Sequence, residues 1–480
     1  MGLGKSVFSG FFWKFAERIL AQLISFVVSI VIARILSPED YGLVAMGMIF
    51  INIANVFVSN GFSAALIQKK NADAIDYSTL LYCSLFLSIL IYFSLFFSAP
   101  IIAKFYNNIL LTKLIRVFGL ILPITSYKSI QHAYVSKTLD FKKFFFSTLA
   151  GTLVSAVVGV VLAKIGFGVW ALVAQYFANN IIDVIVLTFT IDWKPKLLFS
   201  WNRAKPLLSF GSKVLGTGLI GTLYNQLNAF IIGKKYSSSE LAYYTKGSQF
   251  PNLISNNISS SLTAVLFPAF SAESENKELM RNMCKKSIRV SSFVLFPLYF
   301  GMMAVCHNMV SVLLTEKWLP CIPFILIMCV NGIIGTIDIV DLQVLKAMGK
   351  SGTVLKMDFV KKTLYIIITL IALRFNIFIL ALTVPLASLI AIVINSHFVN
   401  KYIGYGLVEK IKDVLKSFIS ASVMFGIVYA MNFISCNQIL LLILQIATGI
   451  FIYILLSLIT KNANFFYCLN LVKGKNEKFN

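Results

Sequence analysis

Runs of twenty or more mostly apolar residues follow one another along the entire chain. They fall at about 8–36, 38–68, 76–103, 109–135, 142–164, 168–191, 204–234, 238–270, 281–306, 321–348, 353–374, 377–400, 411–434 and 438–460. A segment of about 20 apolar residues matches the roughly 30 Å of hydrocarbon in a bilayer. Hydrocarbon offers the backbone no water, so each run must satisfy its own N–H and C=O groups as a helix. The expectation is an all-α integral membrane protein with about 14 transmembrane helices. Composition agrees, with 58% hydrophobic and 13% charged residues and a mean hydropathy of +0.84. The first run is too long for a signal-peptide core and lacks a small-residue cleavage site, so it reads as a retained helix. The 7 cysteines are scattered with no C-x-x-C pair. They read as small packing residues, not as a disulfide framework or a metal site, and no cofactor is expected.

The net charge of +23 has a pattern. With both termini in the cytoplasm, the inner loops hold Lys69 and Lys70; Lys137, Lys142 and Lys143; Lys194, Lys196, Arg203 and Lys205; and so on to the tail from Lys461 to Lys478. The outer loops hold only Arg34, Lys104, Lys113, Lys164, Lys234, Lys235, Lys317 and Arg374. The bias is about threefold, in the sense of the positive-inside rule. Cations spread over many short loops do not make a nucleic-acid-binding face.

Between the first two runs stands "ARILSPEDYG". Ser37 suits an N-cap, Pro38 the first helical position, and Asp40 a capping-box partner three residues on. Two helices therefore meet in a very short turn. The same chemistry returns 200 residues later, where Arg34, Ser37 and Asp40 face Lys234, Ser237 and Glu240. Asn52 faces Asn252, and "SAALIQ" faces "TAVLFP". This pattern predicts two related halves, parallel repeats with a substrate path between them. The expected organisation is a lobe over 1–200, a second over 201–402, and two further helices with a cytoplasmic tail over 403–480.

Several runs carry polar residues that a lipid-facing helix could not hold. The eighth has Lys246, Gln249, Asn252, Asn256, Asn257, Ser260 and Ser261. The second has Asn52, Asn55, Ser59 and Asn60, and the seventh has Lys213, Asn225, Gln226 and Asn228. In the first, Lys14, Arg18 and Gln22 are four apart and share a face, with Glu17 beside them. Arg116, Lys128, Gln131 and His132 lie in the fourth run, Asp183 in the sixth, and Asp338 and Asp341 in the tenth. A structural reading stands beside the functional one. Long cations such as Arg116 and Lys128 can snorkel, amides can bond neighbouring helices, and Asp341 can reach Lys346. As a set, the candidate lining has more cations than carboxylates and suits an anionic ligand. Lys246 is the leading candidate for it, with Lys213 and Arg18. Buried Glu17, Asp183 or Asp338 would exchange a proton or hold a sodium ion if transport is ion-driven.

The pieces "WKFAERILAQLISFVVSIVIARILSPEDYGLVAMG", "IIGKKYSSSELAYYTKGSQFPN", "VLFPAFSAE" and "LQVLKAMGKSGTVLK", in this order and spacing, resemble the Wzx-type polysaccharide flippases of the MOP superfamily, and the WzxC-like subgroup in particular. The resemblance spans nearly the whole chain. It implies two six-helix lobes of MATE-like fold plus two helices, alternating access, and residence in the bacterial inner membrane. The implied substrate is an undecaprenyl-pyrophosphate-linked oligosaccharide for O-antigen, capsule or exopolysaccharide, with other polysaccharide-assembly proteins as candidate partners. Lys246 would then meet the pyrophosphate. The family usually has Arg where Lys246 stands, and the charge is kept. It usually has Asp where Asn228 stands, and here the charge is lost.

Other readings remain open at this point. A multidrug extruder shares the architecture but calls for an acidic, aromatic lining for cationic drugs. A peptidoglycan-precursor flippase shares both architecture and charge logic. A membrane polymerase or glycosyltransferase would show a large outer loop or a paired-carboxylate or metal-binding constellation. The outer loops are short, so a transporter and not an enzyme is expected.

Overall fold

The computed structural model describes residues 3–434 and 436–472; the side chain of Asn60 and the basic tail beyond residue 472 lie outside the described residues. Among them every regular element is helical. In chain order these are α1 (Leu3–Ile35), α2 (Pro38–Gln68), α3 (Ala74–Phe105), α4 (Leu110–Thr138), α5 (Phe141–Ile165), α6 (Val169–Thr190), α7 (Trp201–Lys235) and α8 (Ser238–Ala272). There follow α9 (Lys277–Leu314), α10 (Ile322–Ala347), α11 (Ser351–Ala372), α12 (Ile377–Ile403), α13 (Leu407–Ala430), α14 (Gln438–Ile459) and the short α15 (Ala463–Val472). Each expected apolar run holds one long helix. Eleven of them are long and apolar enough to cross a membrane on that measure alone. The three that fall short, α7, α8 and α11, are those in which polar residues interrupt the run.

The short turns are as the sequence implies. Only Leu36 and Ser37 separate α1 from α2, and only Tyr236 and Ser237 separate α7 from α8. Asp40 N–H donates to Ser37 Oγ at 3.2 Å, and Ser37 N–H donates to Asp40 Oδ2 at 3.1 Å. Glu240 N–H donates to Ser237 Oγ at 3.1 Å, and Ser237 N–H donates to Glu240 Oε2 at 3.0 Å. Each box satisfies two backbone donors that a helix start would otherwise leave open. A third box caps α3, where Asp73 pairs with Asp76. Lys69 pairs with Asp76 at 2.6 Å, and Arg203 pairs with Asp73. The hydrogen bond from Arg203, with that from the Asp76 backbone, holds the Asp73 carboxyl down at about 2.

Contacts divide the chain into two compact units that meet at Ala242 and Tyr243. The division expected from the sequence lay at residue 200, whereas α7 packs into the first unit. The reason is steric. A Cβ built on Gly61 of α2 would lie 2.6 Å from the carbonyl oxygen of Gly211 in α7, so the two backbones touch. Small residues at such a crossing replace the hydrophobic drive that lipid removes. Gly42, near the start of α2, is likewise pressed on Ser238, whose oxygen a Cβ would meet at 1.8 Å.

The second unit closes around two buried polar links. Lys410 of α13 is fully buried, with its Nζ 2.7 Å from Asp341 of α10 and 3.0 Å from Ser396 Oγ of α12. Asp341 was expected to reach Lys346 along its own helix; the structure pairs it across helices with Lys410 instead. Farther along, Asn308 of α9 donates to Asn432 at 2.9 Å and to Gln445 of α14 at 3.0 Å. In these ways the last helices are tied to the body of the unit.

Ser37→Ala and Ser237→Ala should each cost about 1 kcal/mol through loss of one cap, read as a lowered midpoint of unfolding in detergent. Lys410→Met leaves the Asp341 carboxylate unpaired and should cost about 3 kcal/mol; adding Asp341→Asn should return most of it. The Asp73–Arg203 pair should make stability depend on pH only in acid. Its contribution is present above the unfolded carboxylate value near 4 and is lost as pH falls toward 2. Arg203→Ala should therefore flatten the stability change between pH 4 and 2.

Candidate functional site

The first unit contains a polar cavity of about 420 Å³. Its walls are Asn55, Ser59 and Ser63 of α2, Thr125, Lys128, Ser129, His132 and Ser136 of α4, and Asn180 of α6, with Ile67 and Ala133. The spacings explain the wall. Asn55, Ser59 and Ser63 recur every four residues, as do Thr125, Ser129 and, one step on, Ala133; Lys128, His132 and Ser136 form the neighbouring stripe.

The α2 wall is not a plain α-helix. Residues Val56–Asn60 form a π-helical turn, a distortion that recurs at functional sites. Hydroxyls occupy its carbonyls. Ser59 Oγ donates to Asn55 O at 2.6 Å, Ser63 Oγ to Ser59 O at 2.6 Å, Ser129 Oγ to Ser59 O at 3.0 Å, and Ser84 Oγ of α3 to Val58 O at 3.1 Å. The hydroxyls thus do in the membrane what water would do outside it.

Charge enters from α4. Lys128 Nζ lies 2.7 Å from Asp183 Oδ2 and donates to Asn180 Oδ1 at 3.2 Å. His132 Nε2 lies 3.3 Å from the same Asp183 oxygen. Lys128 and His132 line the cavity while Asp183 stands behind them, its side chain 3% exposed. The His132 ring packs on Phe144 of α5 at 4.6 Å, and Lys14 Nζ of α1 sits 4.5 Å from the same ring. Lys14 in turn pairs with Glu17 at 2.6 Å. The partners of two carboxylates singled out in the sequence, Lys14 of Glu17 and His132 of Asp183, therefore meet one aromatic ring. Lys128 does not snorkel, because Asp183 holds it. Arg116 instead stacks on Phe96 at 4.2 Å and donates to its carbonyl.

The other candidates are dispersed. Arg18, Lys213, Asn225 and Asn256 are exposed, and Gln22, Asn52, Gln226 and Gln249 are half-buried. Asn257 donates back to Leu253 O of its own helix at 2.8 Å. Lys246 is buried, with its Nζ 5.8 Å from the Trp318 ring centroid in the same unit. Asp338 accepts from Asn395 of α12, whose amide oxygen also accepts from Lys361 of α11 at 3.3 Å. The cavity adds Thr125, Ser129, Ser136 and Asn180, which the sequence reading did not single out. For the first three the signal was the polar stripe of α4 at helical spacing.

A family model described as "Polysaccharide biosynthesis protein" matches residues 31–323. The chain belongs to the polysaccharide biosynthesis protein family. The match begins at the end of α1 and takes in every cavity-lining residue. Curated relatives include the lipopolysaccharide biosynthesis protein WzxC of Escherichia coli strain K12, 23% identical over 91% of this chain and 85% of that one. The teichuronic acid biosynthesis protein TuaB of Bacillus subtilis strain 168 is 22% identical over 94% and 95%. The succinoglycan biosynthesis transport protein ExoT of Rhizobium meliloti strain 1021 is 23% identical over 64% of this chain, and the match spans 62% of that protein. Among solved structures, the lipid II flippase MurJ superposes with a TM-score of 0.74 at 14% identity, covering 94% of this chain and 98% of that one. A multidrug-resistance MATE transporter of the MOP superfamily gives 0.60 at 12% identity, covering 85% and 95%. The family member here therefore has the MOP membrane fold expected from the sequence.

Asp183→Asn, which leaves Lys128 with Asn180 and a neutral amide, should cost about 3 kcal/mol. The double variant with Lys128→Gln should cost less than the sum, and a double-mutant cycle on unfolding midpoints measures the difference.

Proposed function

We propose that this polysaccharide biosynthesis protein carries lipid-linked oligosaccharides from the inner to the outer leaflet of the bacterial inner membrane by alternating access. The substrate in this reading is an oligosaccharide on undecaprenyl pyrophosphate. The observation that carries it is the first-unit cavity, which brings one lysine, one histidine and a ring of hydroxyls and amides together inside an apolar helical body. A glycan pyrophosphate cannot cross roughly 30 Å of hydrocarbon unaided. Cations meet its phosphates, and hydroxyls and amides meet its sugars. The names of the relatives, all polysaccharide biosynthesis or transport proteins, support the same substrate class.

Both termini are placed in the cytoplasm on the loop charges. The cavity then lies toward the inner half of the membrane, where α4 approaches Thr138 and α2 approaches Gln68. A precursor assembled in the cytoplasm would meet it there. The buried carboxylates Asp183 and Glu17 and the half-buried Asp338 are the candidates for coupling export to a proton or sodium gradient. Lys128 takes the leading role that the sequence alone gave to Lys246, because Lys128 opens on a cavity and Lys246 is buried. The reading is of a transporter and not of an enzyme.

The test is complementation of a strain lacking its polysaccharide flippase, with carrier-linked glycan assayed on each side of the membrane. The wild-type chain should restore surface polysaccharide. Lys128→Gln should lower export by tenfold or more while protein level holds, about 1.4 kcal/mol or more in transition-state terms, and carrier-linked glycan should accumulate inside. Export by Lys128→Gln at the wild-type rate would remove the cavity from the path.

A further inference from the structure

Asp183 poses a problem for any ligand that uses Lys128. The carboxylate is buried and Lys128 is its nearest cation. An anion that draws the ammonium into the cavity leaves Asp183 without a counter-charge, which is costly in a medium of low dielectric. The structure supplies a substitute. His132 sits one turn along α4, already 3.3 Å from the Asp183 oxygen that Lys128 uses. Histidine is the side chain whose charge changes most readily between pH 5 and 8.

We propose that Lys128, Asp183 and His132 form an exchange switch: a phosphoryl anion in the cavity takes Lys128 from Asp183, His132 takes up one proton, and the imidazolium replaces the ammonium on Asp183. The charges balance. Before binding, Lys128 and Asp183 neutralise each other and His132 is neutral. Afterwards Lys128 faces the anion and the His132 cation faces Asp183. The proton comes from the solvent to which the cavity opens, and it leaves when the anion does. Proton uptake and anion binding are then one event, and affinity falls as pH rises.

The surroundings fit this assignment. From α2 the cavity receives Asn55, Ser59, Ser63 and Ile67, which are uncharged. From α6 it receives Asn180, which accepts from Lys128 and donates to Tyr176 O. From α5, Phe144 covers the imidazole, and Gly151 leaves the Asp183 backbone closely packed. From α1, Lys14 lies against Phe144 and pairs with Glu17, and Arg18 is exposed. Lys142 and Lys143, at the start of α5, lie respectively over Trp13 and against Asp140 and Asp192. His132 is thus the group that faces Asp183 and can change its charge.

The inference rests on the reading of this cavity as the substrate site. Its test is calorimetry on the full chain in lipid nanodiscs, with UDP-glucose as probe, a soluble pyrophosphate diester of fixed charge between pH 6.5 and 8. Each titration is run in two buffers of different ionisation enthalpy, so that proton uptake is counted directly. The wild type should lose affinity by about tenfold per pH unit in the upper part of this range and take up close to one proton per anion. His132→Gln should bind more weakly than wild type at pH 6.5, with no proton uptake and a flat pH profile. Asp183→Asn should bind at least as tightly as wild type at pH 8, again with a flat profile, because nothing holds Lys128 back. The double variant Lys128→Gln with Asp183→Asn keeps the interior neutral, so loss of binding with an unchanged melting temperature assigns the anion to Lys128. Wild-type binding that is independent of pH, with no proton uptake, would overturn the exchange. Absence of wild-type binding at either pH would overturn the anion site and with it the exchange. Restored surface polysaccharide in the complementation assay would then show that the transport reading stands without either.

Discussion

Every feature of this protein answers one constraint: a peptide group in hydrocarbon has no partner except another group of the chain. It makes each long element a helix and keeps the turns short. It also decides what the side-chain hydroxyls do. Thr152, Thr188, Ser248 and Ser457 all bond back to a carbonyl of their own helix four residues earlier. The π-helical turn in α2 is tolerated on the same terms, because serines from three helices occupy its carbonyls. Where buried polar groups are paired off, as in Lys410 with Asp341, the helices are fixed to each other. Where they face an open volume, as around Lys128, they are available to something else.

The two halves answer the constraint alike in position and differently in charge. In each, the fourth and sixth helices are joined by a polar rung at mid-helix. In the first half it is Lys128 with Asp183; in the second it is Asp338 with Asn395. The two rungs differ in chemistry. One half presents a cation to a cavity, and the other keeps a carboxylate under an amide.

How much of this was legible in the sequence depends on the range of the interaction. Ser37 with Asp40 and Ser237 with Glu240 are three residues apart, so their pairing could be read directly, and the structure contains both boxes. The positions of the long helices were legible because a span has a fixed length. Partners across helices were not. Asp341 had a lysine within reach on its own helix, yet it bonds one 69 residues away, because helix rotation and neighbour are set by packing. Lys246 looked prominent for its place in the repeat and is enclosed, whereas Lys128 looked like an interface anchor and opens on a cavity. The contact between Gly61 and Gly211 had no sequence signal beyond two ordinary glycines, and it carries α7 into the first unit.

That contact also bears on how the chain is made. Neither α7 nor α8 is apolar enough to be taken for a span on its own, and two residues join them. A helix emerging from the ribosome can leave the insertion machinery by itself only if lipid accepts it. These two would have to leave as a pair, with α7 settling on a groove already formed by α2. The second and third helices are thus the receiving surface for the seventh, and the order of synthesis is built into the packing.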